Sequence, residues 1–418
     1  MYDLFLFEFK KIACKRFNII VVLCSVLLTI LLFWLPIKQY VVFSEDGNSV
    51  RGKEAIAVNK KALNKYAGEL ADERIRQDIG EYQSLFLNPN NLSKDNENKS
   101  LNEEAIYKYV QPYFDYWKLI DYVYIEPYME DFSLTELSKI SIDNKIDFYG
   151  TKDKKIKKLL NLSYEDIHYS EKEKKFWMNQ AEEISQPFHF AYHAGWKMFF
   201  SCLELFAIPL LAICICITTV FSGEYQLQTD SLILVTKYGK SKLLGAKLIA
   251  AFSFTMIIFA LHILLATVIL FSGFGTDGAL LPLQILNATI PYKFTMFQGY
   301  LICILTAFLV MFGMVSVTLL MSSKMKSPLP TVAVIIFLIF STMFVGYSET
   351  NGVWNRIIIL MPQRALTSVW PDDFSCYFSW NIFGKVFDVV TVRMIVYVVL
   401  TIICIPLTVY FFRRHQVK

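Results

Sequence analysis

The sequence predicts an all-α protein that threads a membrane six times, with an amphipathic helix ahead of the first crossing and a mainly helical domain between the first two. Three observations predict it. The 418 residues are 55% hydrophobic and 16% aromatic, with a mean hydropathy of +0.40, above the roughly 45–50% apolar share of an ordinary soluble domain. The apolar residues gather in runs near the ~20 residues that a helix needs to cross about 30 Å of hydrocarbon. Basic residues cluster at the ends of those runs on one side, with Lys38, Lys197, Lys293, Arg356 and Arg364 scattered on the other.

The elements follow in order. Residues 1–16, MYDLFLFEFKKIACKR, set Leu4, Phe5, Phe7, Phe9 and Ile12 against Lys10, Lys11, Lys15 and Arg16, the pattern of a helix lying in a membrane interface. Span one runs over 17–36, and no small-x-small cleavage site follows it, so it reads as an uncleaved anchor. Five further spans are expected within 198–412: Met198 to Phe221, Leu248 to Phe271, Gly299 to Met321, Leu329 to Tyr347 and Met394 to Phe412. Residues 413–418 form a short tail.

Orientation comes from the basic residues near the span ends. Lys10, Lys11, Lys15 and Arg16, then Lys237, Lys240, Lys242 and Lys247, then Lys324 and Lys326, then Arg413, Arg414 and Lys418 all fall on the same side, which places both termini in the cytosol of a multi-pass cell-membrane protein. The net charge of +4 is small and of mixed sign, which argues against a nucleic-acid partner.

Residues 39–194 are rich in Lys, Glu, Asp, Asn and Tyr and read as an extracytoplasmic helical domain. A helix is expected from Lys53 to Phe86, stopped by Asn88-Pro89-Asn90. Ser100 with Glu103, Ser133 with Glu136 and Ser163 with Asp166 read as capping boxes or near-boxes. Tyr107, Tyr109, Tyr113, Phe114, Tyr116, Trp117, Tyr122 and Tyr124 form either a packed core or a face that meets a substrate or external partner. None of the eight cysteines lies in this domain, so no disulfide framework holds it, and no cysteine spacing suits zinc. Residues 348–393 suggest two short re-entrant-like external helices, broken by Pro362 and Pro371, in the aromatic interface belt.

Ionisable groups inside spans are costly and tend to face a bundle interior. Glu204 in span two and His262 in span three are therefore candidate pathway-lining residues. Each also has a local reading, Glu204 reaching the interface or pairing with Lys197, and His262 staying neutral on a helical hydrogen bond. Gly313 and Ser316 are small enough for close helix contact, and Pro209 and Pro406 are candidate kinks.

The remaining signal is the charged stretch 222–247 after span two. A helix over Glu224 to Val235 would put Leu227, Ser231 and Leu234 on one face. With its position after the second of six spans, and with the N-terminal interfacial helix, this stretch resembles the membrane subunit of ATP-binding-cassette (ABC) exporters of the type-two permease class. That family's motif carries an acidic residue, Gly-Thr, a leucine-rich run, Thr-Pro, a basic residue and a final Lys. Glu224, Thr229, Leu232, Leu234, Thr236, Lys240 and Lys247 stand in matching places, with Gln228 for Gly, Lys237 for Pro and Lys240 for the commoner Arg.

The resemblance implies that these residues, with Leu227, form an ABC transporter's coupling helix seated in a cleft of a cytosolic ATPase dimer. It implies a second permease subunit, identical or related, and ATP and Mg bound by the ATPase rather than by this chain. The transport function implied is export of an amphipathic substrate such as a peptide, antibiotic or lipid. A sensing or immunity complex against antimicrobial peptides would share the architecture. A polytopic membrane enzyme is the remaining alternative. A phosphate loop needs Gly, four residues, then Gly-Lys-Ser/Thr; Gly239-Lys240-Ser241 supplies the ending, but position 234 is Leu and no strand precedes it. Nor does His262, the only histidine inside a span, or the external pair Asp372-Asp373 make a metal or catalytic set.

Overall fold

The computed structural model describes residues 1–93, 100–126, 135–142, 146–162, 168–229, 239, 241–344, 352–366 and 377–414. Among them, five helices are long and apolar enough to cross a membrane: Arg16–Gln39, Leu203–Gln226, Lys242–Phe274, Met296–Lys324 and Val389–Arg414. The fifth expected span is represented by the shorter apolar segment Pro328–Phe344. Its α-helix stops at Phe340 and tightens to a 3-10 turn over Ser341–Phe344, and the rest of the expected run lies outside the described residues.

In chain order, α1 is Tyr2–Ala13 and α2 is Arg16–Gln39, the first span. Within the domain that follows, α3 is Gly52–Lys65, α4 Asp72–Ser84, α5 Phe114–Tyr124, α6 Phe148–Asn161 and α7 Glu171–Glu182. The membrane-type helices then follow: α8 Ala194–Ser201, α9 Ala207–Ile217, α10 Thr219–Gln226, α11 Lys242–Phe274, α12 Met296–Lys324, α13 Pro328–Phe340 and α14 Val389–Arg414. The fold is mainly helical but holds three two-stranded antiparallel sheets among the described residues.

The first span turns an unusual stripe inward. Asn18, Ser25, Thr29, Phe33 and Ile37 are its buried residues, spaced by one or two helical turns, and three of the five are polar. Lipid accepts leucine and isoleucine on every other side, so the polar groups turn to the bundle interior, where Asn18 and Ser25 are hydrogen-bonded and the Thr29 hydroxyl has no partner among the described residues. Asn18 Nδ2 donates to the carbonyls of Ile12 at 2.8 Å and Cys216 at 3.3 Å.

The second span differs from its expected bounds. Ala194–Ser201 forms a separate helix closed at Cys202, whose amide turns back to the carbonyls of Met198 and Phe199. Tight contact holds α8 there: a Cβ built on Gly195 would lie 2.3 Å from the Gly275 carbonyl oxygen, and Trp196 Nε1 donates to the Asp277 carbonyl at 3.0 Å. Pro209 sits in the first turn of α9, where no backbone donor is needed. Pro406 lies inside the last helix. Gly313 admits Tyr397: a Cβ there would come within 2.6 Å of the Tyr397 ring, so α12 and α14 approach as that glycine allows. Ser316 is buried and bonds the Phe312 carbonyl of its own helix.

The domain between the first two spans departs from the sequence reading in two places. The long helix expected from Lys53 to Phe86 is two helices, because Gly68, at φ +131°, leaves the helix to pair with Phe190 while Glu69 pairs with His189. That short ladder clasps the start of the domain to its end. Ser100 does not cap the next helix; Asn102 does, its side chain accepting from the Ala105 amide at 2.8 Å. The boxes expected at Ser133 and Ser163 lie outside the described residues. Full capping boxes form instead at Ser170 with Glu173 and at Thr295 with Gln298.

Tyr66, Tyr82, Tyr116 and Trp117 are buried together, Tyr66 stacking on Tyr116 with ring centroids 4.2 Å apart. Tyr107 and Tyr109 stay partly exposed. Two ion pairs tie the domain to the membrane-type helices, Lys60 to Asp277 at 2.8 Å and Lys197 to Asp115 at 2.6 Å. Past α13, the two short helices expected in 348–393 are present as Val353–Ile358 and Pro362–Ala365. An unanticipated hairpin follows, Ser379–Ile382 paired with Lys385–Asp388.

Gly195→Ala is expected to destabilise the protein by about 1–3 kcal/mol, since the new methyl would clash with the Gly275 carbonyl oxygen and crowd the Phe271 ring at 3.1 Å. Gly80→Ala is the control: its Cβ meets only the Ile142 methyl at 3.7 Å. Thermal unfolding in detergent should show a lowered midpoint for the first variant and an unchanged or raised one for the second.

Candidate functional site

Four ionisable side chains converge where α1, the end of the second span and the start of the third meet. Glu8 and Lys11 stand three residues apart on α1 and so share a face. Glu224 lies near the end of α10, and Lys247 lies in the second turn of α11. Lys247 is fully buried. Its Nζ donates to Glu8 Oε2 at 2.8 Å, Glu224 Oε1 at 2.5 Å and the Val220 carbonyl at 3.3 Å, which uses all three ammonium protons. Lys11 Nζ reaches the same Glu224 oxygen at 2.6 Å. Glu8 and Glu224 are 3% and 2% exposed, so two buried carboxylates face two ammonium groups and the set is neutral.

Lys11 is the half-exposed member, and its titration reports the balance. Burial pulls its pKa down, but the Glu224 hydrogen bond and the charges of Glu224 and Glu8 outweigh that and hold it above the ordinary lysine value. Only one oxygen of Glu224 is used: Oε2 is buried and has no hydrogen-bond partner among the described residues.

The second span reaches this cluster with helical backbone at Thr218 (φ −53°, ψ −28°), where a distant residue takes over part of the hydrogen-bond ladder. Ser322 of α12 accepts from the amides of Phe221 and Ser222, each at 3.1 Å, and donates to the Thr218 carbonyl at 2.6 Å. Tyr225 adds a bond from its hydroxyl to the Ser323 carbonyl at 3.2 Å. The end of the second span is thus fixed to the end of the fourth expected span as well as to α1 and α11.

The continuous helix expected from Glu224 to Val235 does not form: α10 ends at Gln226. Gln228 takes a left-handed conformation, φ +53°. Its amide bonds the Tyr225 carbonyl at 3.2 Å and the Thr229 amide bonds the Glu224 carbonyl at 3.1 Å, the paired closure of a helix C-terminus that glycine ordinarily provides. This is the position where the resembling family's motif carries glycine. Glu224 therefore lies on α10 and Leu227 caps its end, while Ser231 and Leu234 lie outside the described residues. Leu227 is 73% exposed, and Leu232, Leu234, Thr236 and Lys240 lie outside the described residues.

Beside the cluster runs a cavity of about 690 Å³, bordered by Leu4, Phe7, Gly223, Leu227, Thr229 and Leu243 together with Lys10, Lys11 and Lys15. The sequence-predicted residues thus divide. Glu224 and Lys247 touch each other, and Leu227 and Thr229 border the adjoining cavity. Glu204 and His262 join neither that group nor each other. Glu204 is exposed, and Lys197, its expected neighbour, pairs with Asp115. His262 is buried between the first and third spans, with Nδ1 on the Ile258 carbonyl at 2.7 Å and Nε2 on the Ser25 hydroxyl at 3.1 Å. The Ile258 carbonyl can only accept, so Nδ1 carries a proton, and the Nε2 contact with Ser25, whose hydroxyl also donates to the Val22 carbonyl at 2.8 Å, makes a helix-to-helix clasp.

Sequence reading missed Glu8 and Lys11. The available signal was Glu8 itself, a lone carboxylate between Phe7 and Phe9 on the helix reading FLFEFKK.

A second hollow, about 430 Å³, opens in the domain between the first two spans, with Tyr66, Tyr82, Tyr109, Tyr113 and Trp117 among its walls. Lys65 lies 5.5 Å from the Tyr66 ring centre and 5.1 Å from that of Tyr113. Burial, followed by the charge and hydrogen bond of Glu45, pushes the Tyr113 phenol up to about 12, so it remains a neutral donor. No group of three or more metal-ligating side chains occurs among the described residues. No family model, no curated protein and no solved structure matches the chain.

Lys247→Met leaves two buried carboxylates with one ammonium and is expected to cost roughly 3–5 kcal/mol, the range for breaking a buried pair. Adding Glu8→Gln restores neutrality around the remaining Lys11 and Glu224, and the double variant should recover much of that loss. A double-mutant cycle on thermal midpoints in detergent checks this; additive losses would mean that the two groups do not interact.

Proposed function

We propose that this chain is the permease subunit of an ABC exporter, which moves an amphipathic substrate such as a peptide, antibiotic or lipid across the cell membrane. In this reading both termini are cytosolic, a separate ATPase dimer binds ATP and Mg on that side, and a second permease subunit completes the pathway. The chain itself is not catalytic.

The observation that carries the reading is the buried contact between Glu224 and Lys247. These are the first and last positions of the motif on which the resemblance rests, and their contact locks together the two helices that flank residues 227–241. A segment that is to pass force from a nucleotide-driven partner into a bundle needs stiff ends. Here each end is bonded to α1, and the second-span end is bonded to α12 as well. Exposed Leu227 supports the same reading, because a large apolar side chain in solvent at such a point is an anchor for a partner. The aromatic hollow in the external domain offers stacking surfaces on the side where an exported amphipath would emerge or be received.

Affinity purification of the intact chain from its native membrane is expected to bring down a P-loop ATPase, identified by mass spectrometry. Leu234→Asp should lower the recovered ATPase about tenfold, the effect of losing one apolar anchor of roughly 1.4 kcal/mol, with the membrane yield unchanged. Equal recovery would assign the contact elsewhere on the chain. A wild-type chain that brings down no ATPase would sink the exporter reading.

A further inference from the structure

The groove beside the buried charge cluster has the chemistry of a lipid site. Its walls are Leu4 and Phe7 of α1 on one side and Val220 and Leu243 on the other, and its charged border is Lys10 and Lys15. Inside the cluster, Lys247 and Lys11 balance Glu8 and Glu224. Lys10 and Lys15 are exposed and make no ion pair among the described residues. The groove therefore combines an uncompensated pair of positive charges with an apolar trough whose lining remains open, Phe7 being 62% and Leu227 73% exposed.

We propose that this groove binds an anionic phospholipid, with an acyl chain along Leu4, Phe7 and Leu243 and the headgroup phosphate held by Lys10 and Lys15. Position favours lipid over any other amphipathic anion. Arg16 opens α2 directly after the groove, Lys242 opens α11, Lys324 closes α12 and Arg413 and Arg414 close α14. The groove thus sits at the basic end of the long apolar helices, at the level of the headgroups, where a basic pocket between helices selects anionic lipid. Its volume falls in the range of small-molecule sites, roughly 300–1,000 Å³. The glycine at position 223 keeps the wall low: a Cβ there would already meet Thr219 at 3.3 Å. This inference rests on the membrane placement of the bundle and not on the exporter reading, so either can fail alone.

The test uses the full chain in nanodiscs of phosphatidylcholine with one-fifth phosphatidylglycerol, extracted mildly and examined by native mass spectrometry. The wild type is expected to retain phosphatidylglycerol above its bulk share, by about fivefold for each engaged lysine. Lys10→Gln with Lys15→Gln should return the retained lipid to the bulk ratio without moving the thermal midpoint, because both side chains are exposed and unpaired. A second variant, Gly223→Leu, narrows the trough and should reduce retention of either lipid. Retention at the bulk ratio in the wild type overturns the proposal, and so does an enrichment that survives the double lysine variant. Enrichment of free inorganic phosphate in place of phosphatidylglycerol would also overturn it.

Discussion

A charge inside an apolar bundle is tolerated only when every one of its protons or lone pairs is met and its sign is cancelled nearby. Lys247 imposes that constraint on this fold. Its three donated bonds run to α1, to the side chain of Glu224 and to the backbone of the second span. None of these elements can shift by a helical turn without stranding a charge. Replacing a buried ion pair by apolar residues of similar volume is often neutral in stability, so the cluster is better understood as fixing position than as supplying net stability. It sets how deep the second span descends, where the third begins and on which side α1 lies. An all-leucine contact would leave those three choices nearly degenerate, because lipid and protein interior are equally apolar.

Five of the six expected spans were legible in the sequence as long apolar helices, because hydrocarbon thickness requires a run of apolar residues, and a run is a one-dimensional signal. Their ends were less so. The third helix starts six residues before its apolar run, at Lys242, and the fourth extends to Lys324, because a helix continues past the hydrocarbon wherever its next side chains are good helix formers. The breaks were hidden for a stronger reason. After Thr218 the helical hydrogen-bond ladder is interrupted where Ser322, some hundred residues later in the chain, accepts from the amides of Phe221 and Ser222. After α3 closes at Tyr66, Gly68 turns into a strand because Phe190 supplies the partner. Both are long-range pairings, and no window of sequence around the break contains the cause.

The candidate site shows the same division. Glu224 and Lys247 were marked by a motif and by their place after the second span, and they do meet. What could not be read was the direction they face. A charged residue near a helix end is ordinarily a solvated one, and the inward stripe of α2 shows why that expectation fails here. In lipid the polar side chains are the ones with somewhere to go, so Asn18, Ser25 and Thr29 turn inward while leucines face out. Glu8 obeys the same logic. Between two phenylalanines it resembles the polar edge of an interfacial helix, and only the position of Lys247 reveals it as a buried partner.

Glu224 carries two attachments at once. Through its side chain it binds Lys247 and Lys11; through its backbone carbonyl it accepts from the amide of Thr229, at 3.1 Å, and from the Thr229 hydroxyl at 3.4 Å. The residue that ends the second span is therefore also the one from which the following segment departs. The left-handed turn at Gln228 gives that departure a fixed direction, and holding a non-glycine residue at φ +53° has a conformational cost of roughly 1–3 kcal/mol, sustained only while the surrounding bonds persist. A load on residues beyond Thr229 would reach the Glu224 carbonyl first and, through the same residue, the ion pairs that seat α1 and α11. Losing the Glu224 contact would leave the fully buried Lys247 with one carboxylate fewer, whereas half-exposed Lys11 can turn to solvent.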